Sequence, residues 1–442
     1  MPDTTMAPIP TLAAPRDIDL TATYKKITLR LVPFLFVCYF FNYLDRVNVG
    51  FAKLQMLGDL HLSEVAYGVG AGIFFVGYIA CEVPSNLILY KIGARRWLAV
   101  TMIFWGIFSA GLMFANSAAS FYILRMLTGV AEAGFFPGII LYFTYWFPAA
   151  RRGRVTALFM SAIPISGLLG SPLSGWILDF FAHGTGGMAG WRWLYLIEGL
   201  PTIPLGVALF FLLNDGIDQA KWLNTGERAA LKDALAEDDK NRPAEVASSF
   251  RRVLLSPSVW ILSFIYFCIE AGVYSINFWA PTIIKESGVA SVMAIGWLSA
   301  IPYLAACIFM VVVGHSADAR HERRWHLNVP MLMGVAGLVL AAAFASSALI
   351  ATIGLTVAAM GTLAALAMFW PMGSSFLTAS AAAGGVALIN SLGQFAGLLS
   401  PYLVGWIQDE TNSTYLALYI LSGLLLVGAL LVLRVPAKVV NR

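Results

Sequence analysis

Long apolar segments alternate with short polar ones along the whole chain. Twelve of the apolar segments are long enough to cross a bilayer as a helix, which takes about 20 residues. We predict these spans at residues 27–51, 66–90, 96–115, 119–147, 154–182, 190–213, 255–281, 291–317, 326–346, 349–372, 378–408 and 413–434. The pattern therefore predicts an all-α membrane protein with twelve transmembrane helices in two six-helix bundles.

The predicted domains follow from these spans. The sequence predicts a tail (1–26), an N-terminal bundle (27–213), a linker (214–252), a C-terminal bundle (253–435) and a second tail (436–442). The linker is the one long polar stretch, and its charge-dense part is typical of a short amphipathic helix at a surface. The N-terminal tail has no apolar core of a signal peptide, so we expect the first span to be the uncleaved insertion signal.

Composition and charge support this class of protein. Of the 442 residues, 59% are hydrophobic and 12% are charged, whereas a soluble domain carries about 25% charged residues. Most of the 28 Lys and Arg residues fall in segments that share one side of the membrane when the N-terminus is cytoplasmic. The positive-inside rule then places both termini and the linker in the cytoplasm. We expect a multi-pass, monomeric protein of the cell inner membrane.

A short repeat relates the two predicted bundles. Residues Gly167–Asp179 read GLLGSPLSGWILD, and residues Gly397–Asp409 read GLLSPYLVGWIQD, with eight of thirteen positions identical. Both copies fall in the fifth span of their bundle, where glycines let neighbouring helices approach closely. Duplication of a six-span unit is one interpretation, and chance similarity between two glycine-rich helices is the other.

Six motifs stand out along the chain: FNYLDRVNVGFAKLQM (41–56), GYIACEVPSN (77–86), RMLTGVAEAGFFPG (125–138), WFPAARRGRVTALF (146–159), WRWLYLIEGLP (191–201) and INSLGQFAG (389–397). They resemble the major facilitator superfamily, and within it the anion:cation symporter branch. The resemblance implies a twelve-helix transporter for proton-coupled uptake of organic anions such as sugar acids, tartrate-like dicarboxylates and aromatic acids. The loop after the second span departs from the superfamily pattern, because Tyr90 in YKIGARRW stands where an Asp is usual.

The charged residues inside the predicted spans are the candidates for function. A charge in hydrocarbon costs at least about 2.5–3.5 kcal/mol, so such residues usually face a protein interior or a wet cavity. Asp45 and Arg125 each lie six residues from an outer span end, about 9 Å deep at 1.5 Å per residue. Glu132 follows Arg125 by seven residues, which places it two turns further in on nearly the same helix face.

Two arginines are predicted to bind the substrate. Arg46 and Arg125 offer the planar donor fork that matches a carboxylate. The alternative is a structural salt bridge from either arginine to Asp45, because intramembrane charges often pair with one another. The two roles are compatible.

Two acids are predicted to couple transport to protons. Burial raises the pKa of a carboxyl group and a nearby Arg lowers it, so Asp45 beside Arg46 and a mid-membrane Glu132 could each take up and release a proton. The resemblance points to the same two residues. For Glu132 the alternative is a protonated carboxyl that only bonds a neighbouring helix.

Other polar residues receive secondary roles. Glu82 is predicted to gate the pathway or to bond a neighbouring helix, and Asp318, in the loop GHSADARHERR, to latch helix ends through Arg partners. Glu270 and Asn277 are left with an uncertain role. The neutral residues predicted to bind substrate, with helix packing as the alternative, are Tyr43, Tyr78, Trp370, Ser374, Asn390 and Gln394.

The sequence thus predicts a proton-coupled importer of a small organic anion that works by alternating access in a lipid bilayer. No phosphate-binding, zinc-protease or nucleophile motif occurs in it, so we expect no enzyme activity, cofactor, metal or nucleic-acid partner. Four cysteines in apolar spans without a C-x-x-C pair fit packing roles. The alternatives are an organic-anion exchanger or exporter of the same fold and a non-transporting membrane sensor.

Overall fold

The structure is a computed structural model that describes residues 19–240, 256–374 and 379–435, with the side chains of residues 185, 239–240, 371–374 and 379–387 outside the description. The described residues form sixteen α-helices. These are α1 (Leu20–Leu60), α2 (Glu64–Ile92), α3 (Ala94–Gly111), α4 (Ala118–Glu132), α5 (Phe135–Thr144), α6 (Ala149–Met160), α7 (Ala162–Phe180), α8 (Gly190–Gly199), α9 (Thr202–Leu212), α10 (Thr225–Lys240), α11 (Pro257–Glu286), α12 (Val292–Arg320), α13 (Arg324–Ala343), α14 (Ala348–Ser374), α15 (Ala379–Thr411) and α16 (Tyr415–Leu433).

The helices agree with the predicted spans. Eleven segments of the described chain are long and apolar enough to cross a membrane, and α15 lies at the remaining predicted span. Spans four, five and six each consist of two consecutive helices, α4–α5, α6–α7 and α8–α9. The predicted fold class is confirmed, whereas the domain boundaries stay predictions, and the boundary at 252/253 lies outside the described residues.

The first helix begins earlier than the predicted span. The carboxylate of Asp19 accepts hydrogen bonds from the backbone N–H groups of Thr21, at 2.8 Å, and Ala22, at 3.1 Å. Such an N-cap satisfies donors that a helix start leaves unpaired, so α1 extends beyond its apolar part. Residues 20–26 of the predicted tail are therefore helical.

Two glycines allow α4 to pack closely against α2. A Cβ at Gly129 would overlap the backbone of Phe74 on α2, and a Cβ at Gly134 would overlap the side chain of Ser85. The two glycines therefore let α4 lie directly against α2 and let the chain break between α4 and α5. Glu132 is the last residue of α4, at this break.

The two halves, α1–α9 and α11–α16, meet along two equivalent helix pairs, α2 with α15 and α7 with α12. The repeated glycines lie in both interfaces. Gly405 leaves no room for a Cβ beside the backbone of Glu64 on α2, and a Cβ at Gly175 would lie 3.0 Å from Gly296 Cα on α12. This equivalent placement favours duplication over chance similarity.

The halves are joined at one end of the molecule. We call the end at which α10 contacts the start of α1 the linker side, and the opposite end the far side. At the far side, Asp409 of α15 accepts hydrogen bonds from the backbone N–H groups of Glu64, at 3.0 Å, and Val65, at 2.9 Å, at the start of α2. Lys53 of α1 donates to Thr282 Oγ1 of α11 at 3.1 Å. The far side is therefore closed in this structure.

Candidate functional site

A narrow cavity of about 30 Å³ lies between the halves, midway along the helices. A cavity of this size has room for only about two water molecules, so an organic molecule requires the halves to part. The cavity is lined by Tyr39, Tyr43, Arg46, Tyr78, Phe136, Met160, Ile163, Tyr266, Glu270, Tyr274, Leu366, Trp370, Asn390 and Gln394.

The structure brings together many of the residues that the sequence singles out. Seven of them line the cavity, although they come from five different helices. These seven are Tyr43, Arg46, Tyr78, Glu270, Trp370, Asn390 and Gln394. The structure gives their positions, and their roles stay predictions.

Arg46 of α1 forms an ion pair with Glu132 of α4. Its Nε lies 2.5 Å from Glu132 Oε1, and its Nη2 contacts the same carboxylate. Both residues are buried, and the guanidinium lies 5.4 Å from the ring centroid of Tyr43 and 5.1 Å from that of Tyr78. The second oxygen of Glu132, Oε2, is buried without a hydrogen-bond partner among the described residues. The paired charges thus lie at the edge of the cavity, within aromatic surroundings.

Asp45 is not the partner of Arg46 in this structure, so the alternative of a salt bridge between them is not observed. Asp45 accepts hydrogen bonds from Trp105 Nε1 at 2.7 Å and from Ser109 Oγ at 2.8 Å, both on α3. Consecutive residues of a helix point about 100° apart, so the side chains of Asp45 and Arg46 lie in different surroundings. Arg46 faces the cavity, whereas Asp45 faces the interior of the N-terminal half.

Arg125 does not line the cavity. Its Nε and Nη2 donate to the backbone carbonyls of Gly70 and Ala71, each at 3.4 Å, and its guanidinium lies 5.0 Å from the ring of Phe74. The side chain is buried within the N-terminal half. Arg125 therefore does not share the cavity with Arg46 in this conformation, because its guanidinium is bonded to the backbone of α2.

Two further polar contacts lie at the cavity, one between the halves and one within the C-terminal half. Asn390 Nδ2 of α15 donates to Glu82 Oε1 of α2 at 2.6 Å, one helical turn towards the linker side of the cavity. Tyr274 Oη of α11 donates to Gln394 Oε1 at 2.8 Å. Glu82 thus makes a helix–helix hydrogen bond, and that bond must break if the halves separate at the linker side.

The remaining predicted residues lie elsewhere. Asn277 accepts a hydrogen bond from Tyr303 Oη at 2.8 Å and does not line the cavity. Asp318 is exposed at the end of α12, and its carboxylate pairs with no cation within the described part of the chain, so the expected latch is not formed. The side chain of Ser374 lies outside the described residues.

Sequence reasoning missed several lining residues that a spacing signal could have found. Tyr39 precedes Tyr43 by four residues, and Tyr266, Glu270 and Tyr274 follow one another at intervals of four. Residues four apart share a helix face. Each series therefore predicts one aromatic helix face that includes a residue already singled out, Tyr43 in the first series and Glu270 in the second. The buried Glu198, which accepts from Ser174 Oγ at 2.7 Å, was also missed, and no spacing marks it.

The comparisons with known proteins agree with this architecture. The chain belongs to the Major Facilitator Superfamily, whose family model matches residues 35–401. It is therefore a multi-pass membrane transporter and not an enzyme.

Individual relatives cover almost the whole chain. A putative metabolite transport protein, NicT, of Pseudomonas putida is 45% identical over 96% of this chain and 98% of its own length. A putative tartrate transporter of Agrobacterium vitis is 46% identical over 94% of this chain and 92% of its own length. The xylose transporter XylE of E. coli, in a partially occluded inward-open conformation, has a TM-score of 0.74 at 15% identity, with 94% and 98% of the two chains covered.

Proposed function

We propose that this transporter imports a small organic anion together with a proton by alternating access. The observation that carries the proposal is the buried Arg46–Glu132 ion pair at a cavity between two halves. The guanidinium of Arg46 is the one cation among the described lining residues, and it suits a carboxylate. The relatives named as tartrate transporters support an organic anion as substrate.

The ion pair suggests how the two substrates are coupled. A substrate carboxylate that binds Arg46 competes with Glu132 for the same guanidinium. If Glu132 takes up a proton, its carboxyl group becomes neutral. Arg46 can then leave this ion pair and bind the substrate carboxylate. One proton and one carboxylate thus replace one ion pair with another, and the buried charge stays balanced. Asp45 touches neither Arg46 nor the cavity, so we assign the exchange to Glu132 and leave Asp45 as a predicted proton site in the N-terminal half.

The closed far side supports alternating access. If the linker side is cytoplasmic, as the positive-inside rule predicts, the far side faces outwards and this conformation is closed to the outside. Breaking the Glu82–Asn390 hydrogen bond would open the cavity to the cytoplasm, and separating Asp409 from α2 would open it outwards. Both Glu82 and Asp409 thus act as gating residues in this proposal.

The experiment is anion uptake by the purified protein in liposomes, with Glu132→Gln as the test variant. The amide cannot exchange a proton, so the variant should lose accumulation driven by an inward proton gradient and keep counterflow of the same anion. Glu237→Gln, at an exposed site of α10, is the control and should behave as the unmodified protein. Accumulation that persists in Glu132→Gln contradicts the coupling role, and obligatory trans-stimulation without pH dependence contradicts symport in favour of exchange.

A further inference from the structure

We propose that the substrate is an aromatic monocarboxylate rather than a dicarboxylate or a polyhydroxylated acid. This inference rests on the proposed function, because it takes Arg46 as the group that binds the substrate carboxylate. Two independent features of the cavity carry it, the number of cations and the nature of the walls.

The cavity offers one positive charge. Arg46 is the one lining cation within the described residues, and residues 371–387, whose side chains are not described, contain no Lys, Arg or His. In the C-terminal half every Lys and Arg lies at a helix end or in a loop, from Lys285 to Arg434. One guanidinium neutralises one carboxylate.

A second substrate carboxylate would find no partner. The one carboxyl group among the described lining residues is that of Glu270, whose Oε2 is buried without a hydrogen-bond partner in the described part of the chain. An unpaired charge in a poorly solvated site is strongly unfavourable, and a neighbouring carboxylate adds repulsion. The cavity therefore selects against dicarboxylates, including tartrate.

The walls are suited to a flat ring. Half of the fourteen lining side chains are aromatic, and they come from both halves. Tyr39 and Phe136 form a stacked pair with centroids 5.6 Å apart on the N-terminal side. Tyr266 and Trp370 form an edge-to-face pair with centroids 5.1 Å apart on the C-terminal side. An aromatic ring between such pairs gains both buried area and ring–ring contacts.

The same walls are poor partners for a polyol. Each of the two lining amides already has one group bonded within the protein, Asn390 Nδ2 to Glu82 and Gln394 Oε1 to Tyr274. A polyhydroxylated acid needs a hydrogen-bond partner for each of its several hydroxyl groups on entering the cavity, and each hydroxyl left unpaired weakens binding. An aromatic acid with one ring hydroxyl needs a single partner, which a lining tyrosine hydroxyl supplies.

Four probes test charge and shape separately. They are 4-hydroxybenzoate (one carboxylate, aromatic), phthalate (two carboxylates, aromatic), gluconate (one carboxylate, polyol) and tartrate (two carboxylates, polyol). Binding to the full-length protein is measured at pH 7 by thermal shift and by competition in the uptake assay. We expect 4-hydroxybenzoate to bind at least tenfold more tightly than phthalate or gluconate, and tartrate to bind most weakly.

Each other outcome contradicts a defined part of the inference. Phthalate binding as tightly as 4-hydroxybenzoate overturns the limit to one carboxylate, and gluconate binding as tightly overturns the aromatic preference. Tightest binding of tartrate, or no binding of any probe, overturns the inference as a whole. Tartrate accumulation driven by a proton gradient would overturn the inference and leave the proposed function intact. Proton-independent flux of 4-hydroxybenzoate would support the aromatic substrate and contradict the proposed proton coupling.

A variant pair locates the preference in the cavity. Trp370→Leu removes one aromatic wall, so the preference for 4-hydroxybenzoate over gluconate should fall while the preference over phthalate stays. Trp406→Leu is the control, because Trp406 lies on α15 with its side chain 49% exposed on the outer surface. Trp370→Tyr should restore the aromatic preference. An unchanged preference in Trp370→Leu contradicts the assignment of the ring site.

Discussion

The interiors of the two halves differ in charge although their helix arrangements correspond. The N-terminal half buries seven acidic or basic side chains, those of Asp45, Arg46, Lys53, Glu82, Arg125, Glu132 and Glu198. In the described part of the C-terminal half, Glu270 is the one buried residue among the Asp, Glu, Lys, Arg and His residues. One half therefore carries the charges, and the other supplies neutral amides and aromatic rings.

This difference has a physical advantage for a protein whose halves move against each other. Removing one partner of a buried ion pair costs about 3–5 kcal/mol, because the other charge stays buried without compensation. The pairs Arg46–Glu132 and Lys53–Glu64 each lie within the N-terminal half and can move as part of one body. Contacts between the halves, such as Glu82 with Asn390, use hydrogen bonds that water can replace.

The largest expected effect concerns Arg46, since the C-terminal half offers no cation to replace it. Arg46→Gln should abolish anion binding. Arg46→Lys keeps the charge but loses the planar fork, which should weaken binding by about 1.5–3 kcal/mol, or about ten- to 150-fold. The affinity is measured by competition in the uptake assay.

Two further variants make this result specific. Arg154→Lys, at an exposed site of α6, is the control and should bind the anion normally. Arg125→Lys tests the rival arginine, and its effect on affinity should be smaller than that of Arg46→Lys, because Arg125 donates to backbone carbonyls of α2. A larger effect at Arg125 would place the substrate in the N-terminal half instead of the cavity.

A smaller effect is expected when the one acid of the C-terminal cavity wall is neutralised. Glu270 pairs with no cation within the described chain, so Glu270→Gln should keep gradient-driven accumulation, with uptake changed by less than about threefold. Uptake with and without a proton gradient measures this. Loss of accumulation equal to that expected of Glu132→Gln would mean that both halves exchange protons, and the division of roles would fail.

The sequence predicts the fold well because the strongest signal, the length of apolar runs, depends on each helix alone. It also predicts which polar residues are deep, since depth follows from position within a span. Seven of these residues indeed line the cavity. The i, i+4 tyrosines could have been added from spacing alone.

The partner of each charge is harder to predict. Asp45 and Arg46 are neighbours in sequence, yet one bonds α3 and the other bonds α4. The direction of each side chain depends on how α1 is rotated against its neighbours, and close contacts of α1, such as Leu44 against Gly170 of α7, help to set that rotation. Packing between distant segments decides it, and one sequence does not reveal such packing.

A modest effect should distinguish the two interfaces between the halves. An added Cβ at Gly405 would overlap backbone atoms of Glu64, whereas at Gly175 the nearest atoms, of Gly296 and Val292, lie 3.0 Å away. Gly405→Ala should therefore disfavour closure of the far side more than Gly175→Ala does. Labelling of a cysteine introduced at Thr282 measures opening of that side.

The control for this pair is Gly423→Ala, because an added Cβ there meets no atom within 4 Å. Its labelling rate should match that of the protein with the Thr282 cysteine alone. Equal labelling rates in Gly405→Ala and Gly175→Ala would show that the two interfaces close equally tightly, contrary to the contacts described here.

The smallest effect concerns the linker helix, which is attached to the N-terminal half by Lys26 and Glu227. The two side chains form an ion pair of 2.9 Å, with 43% of the Lys26 side chain exposed, so the pair contributes about 0–1 kcal/mol. Partial burial tends to raise the pKa of Glu227, but hydrogen bonds from Asn224 N–H and Lys26 outweigh it and hold the pKa below the ordinary 4.5. The stabilising contribution of this ion pair is therefore complete above about pH 4.5 and is lost as the pH falls further.

Limited proteolysis of the linker should accelerate slightly at pH 3.5 with an acid-active protease, and Glu227→Gln should show the faster rate already at pH 7. A pH-independent rate in both proteins would mean that this pair does not hold α10 to the N-terminal half, leaving Arg152 and Asp238, 2.9 Å apart, as the contact that does.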